Sequence, residues 1–141
     1  MSLPNAGRAT DISGAYFPQR SVVLIGVHGA LRTRLERHFD EQGWHVATAV
    51  AGPEGRAVAR RLGADLVVLV PDLPCESGWL TCAKLRYEVP APAVIVVLDE
   101  DDWRGRQRAH FLGARVQLLQ DEYLDGVPRR LLRPVPVTVA S

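Results

Sequence analysis

Three short runs leave this chain few ways to fold: Val22-Val-Leu-Ile25, Leu66-Val-Val-Leu-Val70 and Val94-Ile-Val-Val-Leu98. None of them alternates apolar with polar residues. A strand with one wet face must alternate, because successive side chains point to opposite sides of the sheet. A continuous, largely β-branched run therefore reads as a strand covered on both faces, as in a parallel sheet between helices. The middle run sits in Ala64-Asp-Leu-Val-Val-Leu-Val-Pro-Asp-Leu-Pro74 and stops abruptly in a Pro-containing loop. In an open α/β sheet the chemistry gathers at the carboxyl ends of the strands. Val70, Pro71 and Asp72 therefore mark the place where an active residue is expected.

Helical spacing fills the gaps between the runs. Leu31, Leu35 and Phe39 recur at i, i+4 and i+8, which predicts a helix from about Ala30 to Gln42. Arg32, Arg34, Glu36 and Arg37 face its wet side, and Gly43 stops it. His45 to Val50 reads as a second strand. Pro53 opens a second helix, with Ala57, Val58 and Leu62 on its inner side and Gly63 at its end. A third helix is expected from about Gly78 to Tyr87, and a fourth from Asp102 to Leu112, closed by Gly113. Val116 to Leu119 reads as a short fifth strand. A fifth helix is expected within residues 122–132, weakened by Gly126 and Pro128. Alternating strands and helices with right-handed crossovers give a parallel sheet with helices on both faces. Residues 1–20 read as a flexible tail and 21–133 as the domain. Residues 134–141, with Pro134 and Pro136, read as a C-terminal tail or the start of a linker.

The totals narrow the function classes. A chain of 141 residues suits one core. A formal net charge of +1 gives no global case for nucleic acid or an anionic membrane as a partner. No apolar run approaches the roughly 18 residues of a membrane span, and the N-terminus lacks the order of a signal peptide. Cys75 and Cys82 form neither a disulfide framework nor a zinc spacing. A reducing, cytoplasmic setting is expected. No Ser/His/Asp or Cys/His constellation can be argued, so no catalytic residue, cofactor or metal is assigned.

Several segments, in order, resemble the receiver domain of bacterial two-component response regulators. Gly29-Ala-Leu-Arg32 resembles the Pro-x-Leu-Arg opening of its first helix. Ala64-Asp-Leu-Val-Val-Leu69 is similar to the run leading into its phosphorylated aspartate. Leu73-Pro74, Gly78-Trp79 and Lys84-Leu85-Arg86 are similar to its following loop and third helix, and Leu112-Gly113-Ala114 to the end of its fourth. The resemblance covers about Ser21 to Arg133. It implies a flavodoxin-like (βα)5 three-layer sandwich with a five-stranded parallel sheet in the order 2-1-3-4-5. It also implies a place in two-component signalling or a phosphorelay.

The family's phosphorylation chemistry uses two acids that hold Mg²⁺, a phosphoacceptor Asp, a Ser or Thr, and a Lys. Carried over one at a time, these roles fall on Gly26 and Val27, on Val70, on Val97 and on Gln120. None is the required residue. A register slip does not restore them: residues 21–33 contain no Asp or Glu, and Lys84 is the chain's only lysine. Asp72 is the one acid near the central strand end, and Asp99 lies on the same edge, which leaves a residual acidic site to be considered. The nearest likeness is to degenerate receivers, or pseudo-receivers, which keep Asp-Leu-Val-Val-Leu followed by an apolar residue. Their aromatic-Leu-x-Cys-x-Lys-Leu third helix resembles Trp79-Leu-Thr-Cys-Ala-Lys-Leu85. Such domains act through protein contacts without the phosphoryl switch.

Other features have plainer readings. Asp99-Glu-Asp-Asp102 suits the N-terminus of the fourth helix, where carboxylates cap amides and complement the dipole. Gly26-Val-His-Gly29 matches no phosphate-loop pattern, and His28 reads as a polar loop residue. Trp103, Arg104, Arg108, Phe111, Tyr123, Arg129 and Arg130 form a candidate partner surface. In receiver-like folds the face made by helix four, strand five and helix five often serves partner docking or homodimers. The alternative is a small-ligand-binding or enzymatic flavodoxin-like domain with a pocket lined by His28, Asp72, Cys75 and Asp99.

Overall fold

A computed structural model describes residues 19–118. Five strands and four helices alternate along them: β1 Ser21–Ile25, α1 Gly29–Glu41, β2 His45–Ala49, α2 Gly52–Leu62, β3 Leu66–Leu69, α3 Gly78–Leu85, β4 Ala93–Leu98, α4 Trp103–Phe111 and β5 Arg115–Leu118. The strands form one sheet in the order β2-β1-β3-β4-β5, and every pairing is parallel. This is the flavodoxin-like order. The expected fifth helix, the tail before Gln19, Leu119 and everything after it lie outside the described residues.

The three apolar runs do become the sheet's centre, and their parity explains why none of them alternates. Val22 and Leu24 of β1, Leu66 and Val68 of β3, and Ile95 and Val97 of β4 share one core with Leu31, Leu35 and Phe39 of α1. Val23, Ile25, Val67, Leu69, Val94, Val96 and Leu98 point the other way, into a second core with α2 and α3. Each strand is wanted on both sides, so each position must be apolar.

Two of the four described helices, α3 and α4, start with a side-chain cap. Ser77 accepts a bond from the Leu80 amide at 3.1 Å and opens α3. Asp102 accepts from the Arg104 amide at 3.2 Å and opens α4, and Asp101 pairs with Arg106. Two of the four acids, Asp101 and Asp102, thus work at the helix start. The inner side of α2 differs from expectation: Ala57 is exposed, while Gly52, Gly55 and Ala59 are buried and Val58 and Leu62 pack half-buried beside them. The helix lies close to the sheet, so its smallest residues face inward.

Candidate functional site

The carboxyl ends of β1, β3 and β4 converge where the sequence placed the phosphorylation chemistry. Gly26 follows β1 at a φ of +72, and its amide donates to the Ala49 carbonyl at 2.9 Å. A side chain there would overlap Leu73 Cδ2 and approach Val70 Cγ2 to 3.0 Å. Leu73 itself is buried, reaching back from the β3–α3 loop over the glycine. Val27 is buried in the α1-side core, as is Val97. Val70 is half-buried and packs against both cores. Four of the five carried-over positions are therefore a glycine and three packed valines; Gln120 lies outside the described residues.

Mg²⁺ takes oxygen ligands, usually with one or two carboxylates. Gly26 and Val27 offer no side-chain oxygen, and Leu73 fills the space over Gly26. The residues present do not fit that ion. Asp72 and Asp99 are both exposed, and neither has a hydrogen-bonding or ion-pairing partner among the described residues. His28 is exposed after β1, and Cys75 is exposed in the loop at a φ of +73.

Just beyond this apolar edge lies a polar cluster that the sequence did not announce. Glu76, in the same loop, has a side chain only 5% exposed. Arg56 of α2 grips its carboxylate with two donors, Nε to Oε2 at 2.9 Å and Nη2 to Oε1 at 3.0 Å. The Thr81 hydroxyl donates to Oε2 at 2.7 Å, and Lys84 Nζ donates to Oε1 at 3.2 Å. The Arg56 bonds lead in holding the Glu76 carboxyl well below its usual range, at about 2; burial opposes them, and Thr81 and Lys84 assist. Gly52 opens α2 directly against this cluster: a side chain there would overlap Thr81 Oγ1 and come within 2.6 Å of Glu76 Cγ. On the next face of α3, Cys82 is buried, and burial pushes its thiol up to about 12.

The outer face of α4 shows a third character. Trp103 is 64% exposed and Phe111 78%. With Arg104, Gln107, Arg108 and His110 they line a groove of about 600 Å³. The Arg104 guanidinium lies 5.6 Å from the Trp103 ring centroid, and Arg108 lies 5.8 Å from that of Trp79. Tyr123, Arg129 and Arg130 lie outside the described residues. Two further cavities sit elsewhere, one beside α1 and β2 and one of about 130 Å³ between the end of α2 and residues 88–92. None of these three is lined by His28, Asp72, Cys75 or Asp99.

Known proteins place this geometry. No family model matches the chain. The transcriptional regulatory protein AfsQ1 of Streptomyces coelicolor is 35% identical over 82 residues, covering 58% of this chain and 36% of that protein. The chain thus spans about a third of that relative's length. The chemotaxis response regulator CheY4 of Vibrio cholerae superimposes with a TM-score of 0.67 at 19% identity, over 82% of this chain and 94% of that one. The receiver domain of Ssk1 from Saccharomyces cerevisiae, solved with the histidine phosphotransfer protein Ypd1, gives 0.65 at 14% identity, over 79% and 85%. The solved structures share the fold of this chain, five parallel strands in the order 2-1-3-4-5 as in response regulator receivers, and the sequence likeness to AfsQ1 covers 82 residues.

No helix among the described residues is long and apolar enough to cross a membrane.

Proposed function

We propose that this domain is a degenerate receiver that works as a phosphorylation-independent protein-interaction module in bacterial signal transduction. The observation that carries the reading is the packing of Leu73 over Gly26 and beside Val70. Phosphoryl transfer is mostly positioning and charge neutralisation by metal and cation. A side-chain-free glycine under a leucine supplies neither. A valine in place of the phosphoacceptor also removes the buried negative charge that makes such a site responsive, since an unpaired buried charge is costly. The domain then holds one state rather than two.

The contact surface under this reading is the outer face of α4, where Trp103 and Phe111 stand exposed among Arg104 and Arg108. Aromatic residues and arginine dominate interface energetics. The partner is a protein, either a signalling component or a second copy of this chain. The small-ligand or enzymatic alternative needs a pocket on the carboxyl edge lined by His28, Asp72, Cys75 and Asp99.

The test is incubation with acetyl phosphate and Mg²⁺ followed by intact mass measurement. The expected result is the unmodified mass. A phosphoryl adduct, at Asp72 or elsewhere, would overturn the reading.

A further inference from the structure

The loop between β3 and α3 has little of its own to hold it. From Pro71 to Ser77 only Leu73 and Glu76 are buried; Asp72, Pro74, Cys75 and Ser77 are exposed. Yet the loop contains Cys75 at a φ of +73, a conformation that non-glycine residues avoid. Such a residue persists only where its surroundings over-determine it. Here it lies between two anchors. Leu73 is the apolar one, seated on Gly26. Glu76, directly after Cys75, is the ionic one.

We infer that Glu76 is a built-in tether that fixes the β3–α3 loop in one conformation by binding Arg56 of α2 together with Thr81 and Lys84 of α3. Its four bonds run to two different helices, so the carboxylate can satisfy all of them only while α2, α3 and the loop keep their present relation. The close approach of Gly52 leaves no slack on the α2 side. On the α3 side, Gly78 donates to the Pro71 carbonyl at 2.7 Å and sits hard against the Val70 carbonyl, and the Glu76 amide donates to Pro74 at 2.8 Å. The cluster holds two cations against one anion, so removing the carboxylate leaves Arg56 and Lys84 facing each other across an empty centre. This inference rests on the phosphorylation-independent reading and deepens it: an internal carboxylate does the ordering that metal and phosphoryl group would otherwise do.

Amide hydrogen exchange on the intact chain tests it. Glu76→Gln should speed exchange of the Glu76 and Gly78 amides by about tenfold or more, as losing a charged hydrogen bond does to local opening. The amides of Val67 and Val68 in β3, which open with the whole domain, should quicken only as far as the lower unfolding free energy of the variant requires. Glu88→Gln, which removes the exposed ion pair with Arg60, should leave the loop unchanged. Thr81→Val, which keeps side-chain volume and deletes the hydroxyl's contacts with Glu76 Oε2 and the Ser77 carbonyl, should speed the same loop amides by a smaller factor, and it decides the matter if Glu76→Gln does not fold. Unchanged loop protection in these variants would overturn the tether. Its failure is separable from that of the broader reading. A phosphoryl adduct on the wild type with a loosened loop in Glu76→Gln sinks only the phosphorylation-independent reading. A rigid loop in both variants with no adduct sinks only the tether.

Discussion

The carboxyl edge of the sheet and the outer face of α4 treat apolar side chains in opposite ways. At the edge, where a responsive site would hold charge and water, Val27, Leu73 and Val97 are buried and Gly26 has no room for a side chain. On α4, where water would be adequately met by polar residues, Trp103 and Phe111 stay 64% and 78% exposed. Burial is worth about 25 cal/mol per Å² of apolar surface. The edge gains that stabilisation within the chain, while α4 does not. The difference separates an edge packed with apolar side chains from a helix face that leaves two large aromatic side chains in water.

The comparison breaks most visibly if a carboxylate is forced into the closed edge. Gly26→Asp places a side chain at a φ of +72, against Leu73, with its charge in an apolar setting. It should cost about 3 kcal/mol or more of stability, read by urea unfolding, and yield no phosphoryl adduct. Next in size is Glu76→Gln. Removing one partner of a fully buried ion pair costs about 3–5 kcal/mol. Lys84 is 46% exposed, so solvent screening lowers the expectation here to about 2 kcal/mol.

The same cluster sets an acid limit. The folded Glu76 carboxyl is held at about 2, below its ordinary 4.5, so the folded state favours the ionised form. That contribution is fully present above the unfolded value and is lost as pH falls from 4.5 towards 2. Unfolding free energy measured across that window should fall with acid, and Glu76→Gln should flatten part of the slope. The smallest stability effect belongs to α4. Trp103→Ala and Phe111→Ala should each change stability by less than about 0.5 kcal/mol, as exposed positions do. Either should weaken capture of the native partner by about tenfold or more, measured by calorimetry once that partner is in hand. A large loss of stability with no loss of binding would remove α4 from the account.

The sheet was legible because its signal is local. Leu66-Val-Val-Leu69 needs no knowledge of its neighbours to read as a buried strand, and Asp102 announces its helix by capping chemistry. The inner side of α2 was less legible. Ala57 looked like an inward residue, whereas close packing on the sheet turned Gly52, Gly55 and Ala59 inward. The Glu76 cluster was not legible at all. In Pro74-Cys-Glu-Ser-Gly78 a glutamate looks like an ordinary solvated loop residue, and its burial depends on Arg56, twenty positions earlier in sequence. The one available hint was Lys84, the only lysine in a chain whose other basic residues are arginine. Likewise the sequence named Trp103 and Phe111 as surface candidates, but exposure depends on what packs against α4.

The most direct measurement is an amide NMR titration of the wild type with beryllofluoride and Mg²⁺, the pair that mimics an acyl phosphate on a receiver. The account predicts that the signals of Gly26, Val27, Val70, Asp72 and Val97 stay where they are through saturating reagent. Saturable movement of those signals, spreading from the carboxyl edge towards α4, would contradict it.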